Sequence, residues 1–210
     1  MNDNMKSMIK DAMILFAITL MAGLILGTVY QVTKDPIAKQ KEKAKQEACK
    51  EVFADAAGFE LIDQETLTGK ISQQEWTDAG FSGVSIGEVM QASDASGSSL
   101  GYVITVTSHE GYGGDISYML GVQKDGTLNG ISILSIAETA GLGMRAEEIL
   151  KPQFTDKQVE SFESVKSGAM SDSQIDAISG ATITTDAMIS GVNAGLYYFK
   201  TVLGGGSGNE

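Results

Sequence analysis

Between Asp11 and Lys34 the chain runs for 22 residues without a charge, AMILFAITLMAGLILGTVYQVT. At 1.5 Å per helical residue this run is roughly 30 Å long, the thickness of a bilayer's hydrocarbon core. It is too long for the apolar region of a cleaved signal sequence, and no A-x-A pattern ends it, so it predicts a retained single-pass anchor. No cysteine follows closely enough for lipid attachment. Gly23 and Gly27 form a G-x-x-x-G pair, a spacing that lets another helix approach and that is also common by chance in membrane helices.

Charge is unevenly spread around this run. Residues 34–50 carry six lysines against Asp35, Glu42 and Glu47, while residues 51–210 carry seven basic and 22 acidic side chains. A domain that acidic repels nucleic-acid phosphates, and it has no basic stripe to reverse the repulsion. Simple solubility also accounts for the acidity. The lysines after the span outnumber those before it, which by the positive-inside rule would hold the large domain in the cytoplasm. Long domains, however, often cross regardless of flanking charge. A single cysteine, Cys49, excludes an internal disulfide, and a single histidine, His109, excludes a multi-histidine metal site.

After the span, Asp35 and Pro36 open a juxtamembrane helix and Gly58 closes it, with a break from the membrane helix expected at Pro36. From about residue 84 the pattern alternates with period two. VSIGEVMQA, GYVITVTSH, ISYMLGVQ and LNGISILSI read as strands, separated by the turns DASGSS and KDGT. Their hairpin-like spacing predicts an antiparallel sheet. Helices are expected near 144–150 and 156–165, and a last helix from about 185 to 203 presents Met188, Val192, Leu196, Phe199 and Leu203 on one stripe. Strands gathered between helices define an α+β class. The expected divisions are 1–33 (N-terminus and anchor), 34–58 (juxtamembrane helix), 59–203 (soluble domain) and 204–210 (flexible tail, GGGSGNE).

Three motifs have weak claims on chemistry. GSSLG at 97–101 matches the nucleophile elbow G-x-S-x-G, but a strand follows it where a helix is required, so it reads as a hairpin turn. GLGMRA at 141–146 matches G-x-G-x-x-A without the repeated βαβ units of a dinucleotide fold. HEGYGGDI at 109–116 is a glycine-rich loop over which a ligand could lie close to the backbone; His109 in it reads as a surface or capping residue.

The stretch DAISGATITT, 176–185, is different. It is a small-residue turn crowded with hydroxyls at the expected start of the last helix, where backbone N–H groups attract phosphate. Gly180 and Ala181 remove side-chain bulk, and a threonine hydroxyl there could bind a phosphate or be esterified by one. A plain capping turn built on Thr184 and Thr185 accounts equally for the composition, and a cofactor-free membrane-anchored binding domain stays open on the residues alone.

Asp176-x-x-Ser179-Gly180-Ala181-Thr182 resembles the flavinylation motif of covalent FMN-binding domains. GYGGDI, 111–116, is similar to that family's glycine-tyrosine loop. ETAGLG, 138–143, is similar to its E-T-P-G-L-G segment, with Ala140 in place of the usual proline. TKDPI, 33–37, is a further point of likeness beyond the anchor. With the anchor, the likeness covers nearly the whole chain and is greatest to the G subunits of Rnf-type ion-translocating ferredoxin:NAD⁺ oxidoreductases. The flavinylated C subunits of sodium-translocating NADH:quinone oxidoreductases are the alternative.

The resemblance implies an α+β fold: one transmembrane helix, then an FMN-binding domain with a mostly antiparallel sheet and flanking helices. It implies one covalent FMN, moved from FAD onto Thr182 by an ApbE-type flavin transferase as a phosphoester. Ser179, Gly180 and Ala181 would surround the phosphate, and Thr185 would anchor the adjacent helix start. Glu138 and Thr139 would make polar contacts to the ring, Gly141, Leu142 and Gly143 would let backbone approach it, and Tyr112 would pack nearby. The protein would then be an electron carrier without its own substrate site. Its partners would be the other subunits of the Rnf membrane complex, and its flavin domain would lie on the extracytoplasmic side.

Overall fold

The computed structural model describes residues 3–63, 67 and 70–204. The flexible tail expected after residue 203 lies, from residue 205 on, outside the described residues. Contacts divide the chain into two units, Met1–Ala44 and Lys45–Glu210.

The first unit is helical. Helix α1 (Asp3–Val52) begins in it and contains the apolar run. Among the described residues this is the one helix long and apolar enough to cross a membrane, with a mean hydropathy of 2.4 in its most apolar window and none of that window buried by the chain. Thr19, Thr28 and Thr33 turn their hydroxyls back onto the carbonyls of Leu15, Leu24 and Val29, so these donors are satisfied inside the segment. The break expected at Pro36 does not occur, because Pro36 lies inside α1. A proline costs a helix interior about 3 kcal/mol and one hydrogen bond. The helical runs on either side, 3–35 and 37–52, outweigh that local loss.

The second unit is built on a five-stranded antiparallel sheet in sequence order. Its strands are β1 (Gly58–Leu61), β2 (Val84–Ser93), β3 (Ser99–Ser108), β4 (Ile116–Gln123) and β5 (Leu128–Ser135). The four alternating segments of the sequence are β2–β5; the short β1 was not expected. The GSSLG stretch begins in the β2–β3 turn, with Gly97 N–H donating to Asp94 O at 3.0 Å, and from Ser99 on it is strand β3. A short helix, α2 (Gln73–Asp78), is opened by a reciprocal Ser72–Glu75 capping box and buries Trp76. After β5 come a 3₁₀ turn (Gly143–Arg145), the brief α3 (Ala146–Ile149) and a second 3₁₀ turn (Lys151–Phe154). The helix expected over 156–165 is absent. That stretch bridges Lys157 to Leu128 and then forms β6 (Glu163–Val165), which pairs in parallel with β7 (Gln174–Asp176). Phe162 is buried there by facing Phe154 edge-on at 5.1 Å, so its apolar signal reports tertiary packing and not helical period.

Helix α4 (Thr182–Val202) covers one face of the sheet. Met188, Val192, Leu196, Phe199 and Val202 pack on Ile104, Val106, Leu120 and Val122. Each such fully buried aliphatic contributes about 1.5–3 kcal/mol. The alternate side chains of the same strands point the other way. Met90, Ala92, Val103 and Met119 bury against Ala48, Cys49, Val52 and Phe53, which are the last turn of α1 and the residue after it. Lys151 completes this side with an ion pair to Glu51 at 2.6 Å.

The approach of α4 is set by Gly191. A Cβ there would stand 2.1 Å from the Tyr118 hydroxyl, which donates to Met188 O at 2.7 Å. Burial raises the Tyr118 phenol far above its ordinary pKa, so it stays a donor at any working pH. Gly191→Ala should therefore cost about 1–3 kcal/mol through overpacking, and Tyr118→Phe about 1 kcal/mol through the lost hydrogen bond. The double variant should lose clearly less than the sum in urea unfolding of the detergent-solubilised chain, because removing the hydroxyl removes the closest overlap and leaves the ring carbon at 3.1 Å. Strict additivity would contradict this packing.

Candidate functional site

The turn before α4 is built residue by residue. Ala181 N–H donates to Ile178 O at 2.9 Å, which closes a four-residue turn whose third position is Gly180 at φ +78°. Glycine takes that conformation without the Cβ penalty other residues meet. Ala181 is the N-cap of α4 and supplies no side-chain acceptor. The first-turn N–H groups are thus left for other acceptors, at the positive end of the helix dipole. Thr182, exposed, is the first residue of the helix. The helix begins three residues before the expected start at 185.

The threonines that follow do not cap. Thr185 is fully buried; its hydroxyl donates to Ala181 O at 2.9 Å and accepts from Ile178 N–H at 3.1 Å, pinning the turn to the helix. Thr184, also buried, donates to Glu138 Oε2 at 3.0 Å. Asp176, the first residue of the motif, accepts from Ala169 N–H at 2.9 Å and holds the preceding loop.

The residues facing this helix start come from two loops. After β5, Leu142 N–H and Met144 N–H both donate to Thr139 O, at 3.1 and 3.2 Å, folding 139–144 into a compact turn. Gly143 fits there because a Cβ would stand 2.6 Å from Thr184 Oγ1 and 2.7 Å from Glu138 Cβ. Between β3 and β4, His109 closes the neck of the glycine-tyrosine loop: Nδ1 pairs with Asp115 Oδ1 at 2.9 Å and Nε2 with Ser85 Oγ at 3.1 Å. Tyr112 stands out from the loop, 71% exposed.

Together these segments enclose a cavity of about 510 Å³, lined by Tyr112, Glu138, Thr139, Leu142, Gly143, Gly180, Ala181, Thr182, Ile183 and Thr184. That lies within the range of small-molecule sites. The structure brings eight of the eleven residues singled out in the sequence to this cavity. Ser179, Gly141 and Thr185 are outside the lining, and Thr185 is fully covered. Ile183 and Thr184 line it without having been expected there. Thr184 has the composition of a cap, and the signal for both is their helical neighbourhood to Thr182, legible only once the helix start is placed.

An uncapped helix start offers an anion site, the Thr182 hydroxyl lies at its edge, and Tyr112, Leu142 and Ile183 offer exposed apolar surface for a flat ring. A phosphate joined to a planar aromatic system, as in FMN, fits this donor set. Residues 111–197 match the family model of the FMN-binding domain, and residues 1–52 match that of the RnfG N-terminal region. The fold is thus that of an FMN-binding domain, carried on a chain whose N-terminal helix is long and apolar enough to cross a membrane.

Among known proteins, the chain is 30% identical over 204 residues to the G subunit of the Na⁺-translocating ferredoxin:NAD⁺ oxidoreductase complex of Acetobacterium woodii, covering 94% of each. It is 29% identical to the proton-translocating counterpart of Clostridium ljungdahlii, covering 93% of this chain and 97% of the relative. The crystal structure of Shewanella oneidensis NqrC shares the fold with a TM-score of 0.57 at 16% identity, covering 80% of this chain and 97% of the other. The chain belongs to the RnfG family, the G subunits of ion-translocating Rnf complexes.

Because Gly143 has no room for a side chain, Gly143→Ala should push Thr184 and Glu138 apart and cut the FMN content of the purified protein about tenfold, with circular dichroism near wild type. Unchanged FMN content, read as the flavin-to-protein absorbance ratio, would contradict the role given to this contact.

Proposed function

We propose that this chain is the flavin-carrying electron-transfer subunit of a membrane-bound ion-translocating ferredoxin:NAD⁺ oxidoreductase, with one FMN esterified through its phosphate to Thr182. The observation that carries the reading is the placement of Thr182: an exposed hydroxyl at the first position of an uncapped helix, opening into a flavin-sized cavity. Attachment from FAD would form the Thr182 Oγ–P bond, break the pyrophosphate P–O bond and release AMP, with the hydroxyl proton leaving in the net reaction. A flavin transferase of the ApbE type is the matching catalyst.

When bound, FMN supplies the redox chemistry, and the protein supplies position and electrostatics. The α4 dipole and first-turn N–H groups favour the phosphate. Gly180 and Ala181 leave its approach clear, and Ser179, exposed on the same turn, is within the segment that would surround it. Leu142, Ile183 and Tyr112 would flank the ring, and the Thr139 turn, with Gly141 at φ +77°, would set the backbone beside it. The negative charge on Glu138 disfavours an anionic reduced flavin and lowers its potential.

The reading places the flavin domain on the extracytoplasmic side, against the lysine count. Covalent attachment supports that placement physically, since a dissociating cofactor would be lost to the medium there. Its partners are the other subunits of the complex.

Two outcomes test this. Co-expressed with a flavin transferase, the chain should give a fluorescent band that survives denaturing electrophoresis, and Thr182→Ala should abolish it; fluorescence retained by the variant would place the link elsewhere. Added protease should cleave the domain in intact, wall-stripped cells and spare it in sealed inverted vesicles. The reverse pattern would put the domain in the cytoplasm.

A further inference from the structure

Among the described residues, Glu138 is the single acidic side chain lining the flavin cavity, and both of its oxygens are already engaged by the chain itself. Oε1 accepts from Gly113 N–H at 3.1 Å, in the glycine-tyrosine loop. Oε2 accepts from the Thr184 hydroxyl at 3.0 Å, in the first turn of α4. Two glycines stand against this carboxylate, and a third stands against the carbonyl just before it. A Cβ on Gly143 would stand 2.9 Å from Oε2, one on Gly111 would stand 2.7 Å from Oε1, and one on Gly113 would stand 2.1 Å from Ala137 O, one residue earlier. The glycines of two separate motifs thus leave room for one carboxylate.

We propose that Glu138 is the positioning residue of the cavity: it latches the glycine-tyrosine loop to the first turn of α4 before flavin arrives, and it is not a direct contact of the flavin ring. This rests on the flavin-site reading above. The two hydrogen bonds join segments far apart in sequence, one from the loop after β3 and one from the start of α4. Without them the hydrogen bonds that hold the loop carrying Tyr112 lie, among the described residues, at its neck, where His109 pairs with Asp115 and Ser85 and donates its backbone N–H to Gly83 O, and Thr184 no longer fixes the turn that begins with Thr182. The latch therefore prepares the cavity for loading, since geometry fixed in advance lowers the cost of binding.

The side chain and the charge are separable. Glu138→Gln keeps an oxygen for Gly113 N–H and offers an amide to the Thr184 hydroxyl, so the latch survives and the charge is lost. Glu138→Ala loses both. Thr184→Val keeps the charge and loses one arm, and Thr184→Ser restores it.

The test uses the full flavin-free chain in detergent, with two readouts. The first is amide hydrogen exchange of residues 110–116. The second is the initial rate at which a flavin transferase loads FMN from FAD. Glu138→Ala and Thr184→Val should exchange this loop about tenfold faster and load about tenfold more slowly. Glu138→Gln and Thr184→Ser should stay within about twofold of wild type in both. The exchange of α4 residues 188–199 serves as the control for folding and should be unchanged in all four.

Unaltered loop exchange in Glu138→Ala, with the α4 control intact, would overturn the latch. So would a Glu138→Gln variant as defective as Glu138→Ala, because the charge and not the geometry would then be at work. If α4 exchange also rises in Glu138→Ala, the Thr184→Val and Thr184→Ser pair decides on the same criteria. Failure of the wild-type chain to load would count against the flavin-transfer reading, and the exchange result would still decide the latch.

Discussion

Helix α4 can lie close on the sheet because two of its residues have no side chain to interpose. A Cβ on Gly191 would stand 2.1 Å from the Tyr118 hydroxyl, and one on Gly195 would stand 2.8 Å from Leu120 Cδ2. Interiors packed at crystal-like density do not absorb such overlaps. The contact fixes the helix along its axis as well as in depth, because Tyr118 also donates to the carbonyl of Met188. Once the helix is placed, its N-terminus is placed, and with it Thr182 and the N–H groups that attract phosphate. The proposed cofactor site is in this sense a consequence of how a helix meets a sheet.

The other face of the sheet carries the end of α1. Val52 O accepts from Asn129 Nδ2 at 2.8 Å, and Glu51 pairs with Lys151 and accepts from Ser132. Lys151 lies two residues past the segment that runs from Glu138 through Gly143 to the end of α3. The last turn of the membrane-derived helix is thus a structural part of the flavin domain. A sheet clamped on both faces gives the loops around the proposed flavin cavity a firm base, which precise positioning requires.

Much of this is legible in the sequence for a definite reason. Strands β2–β5 bury alternate residues on two different faces, so both the period and the β-branched content show in the residue order; Val103 and Ile104, or Met119 and Leu120, feed opposite cores. The span is legible because 22 uncharged residues admit few other readings. What the sequence does not reveal is decided by contacts. The start of α4 falls earlier than the pattern suggests because Ala181, a residue with no capping side chain, occupies the N-cap, and the two threonines that resemble caps are bonded elsewhere. Apolar spacing predicts a helix over 156–165, whereas Phe162 is held by Phe154 and its backbone by Asn193. The cavity residues are reached through motif likeness, which supplies Glu138, Thr139 and Leu142 together. No local pattern announces that Glu138 spends both oxygens on Gly113 and Thr184, since those partners are far away in the chain.

The most direct measurement of the central claim is the mass of the mature chain, whole and after digestion. Chain co-produced with a flavin transferase should be heavier by one FMN less a water, and the increment should lie on the peptide that contains Thr182. A chain of unmodified mass after that treatment, or an increment on a peptide from elsewhere, would contradict the account.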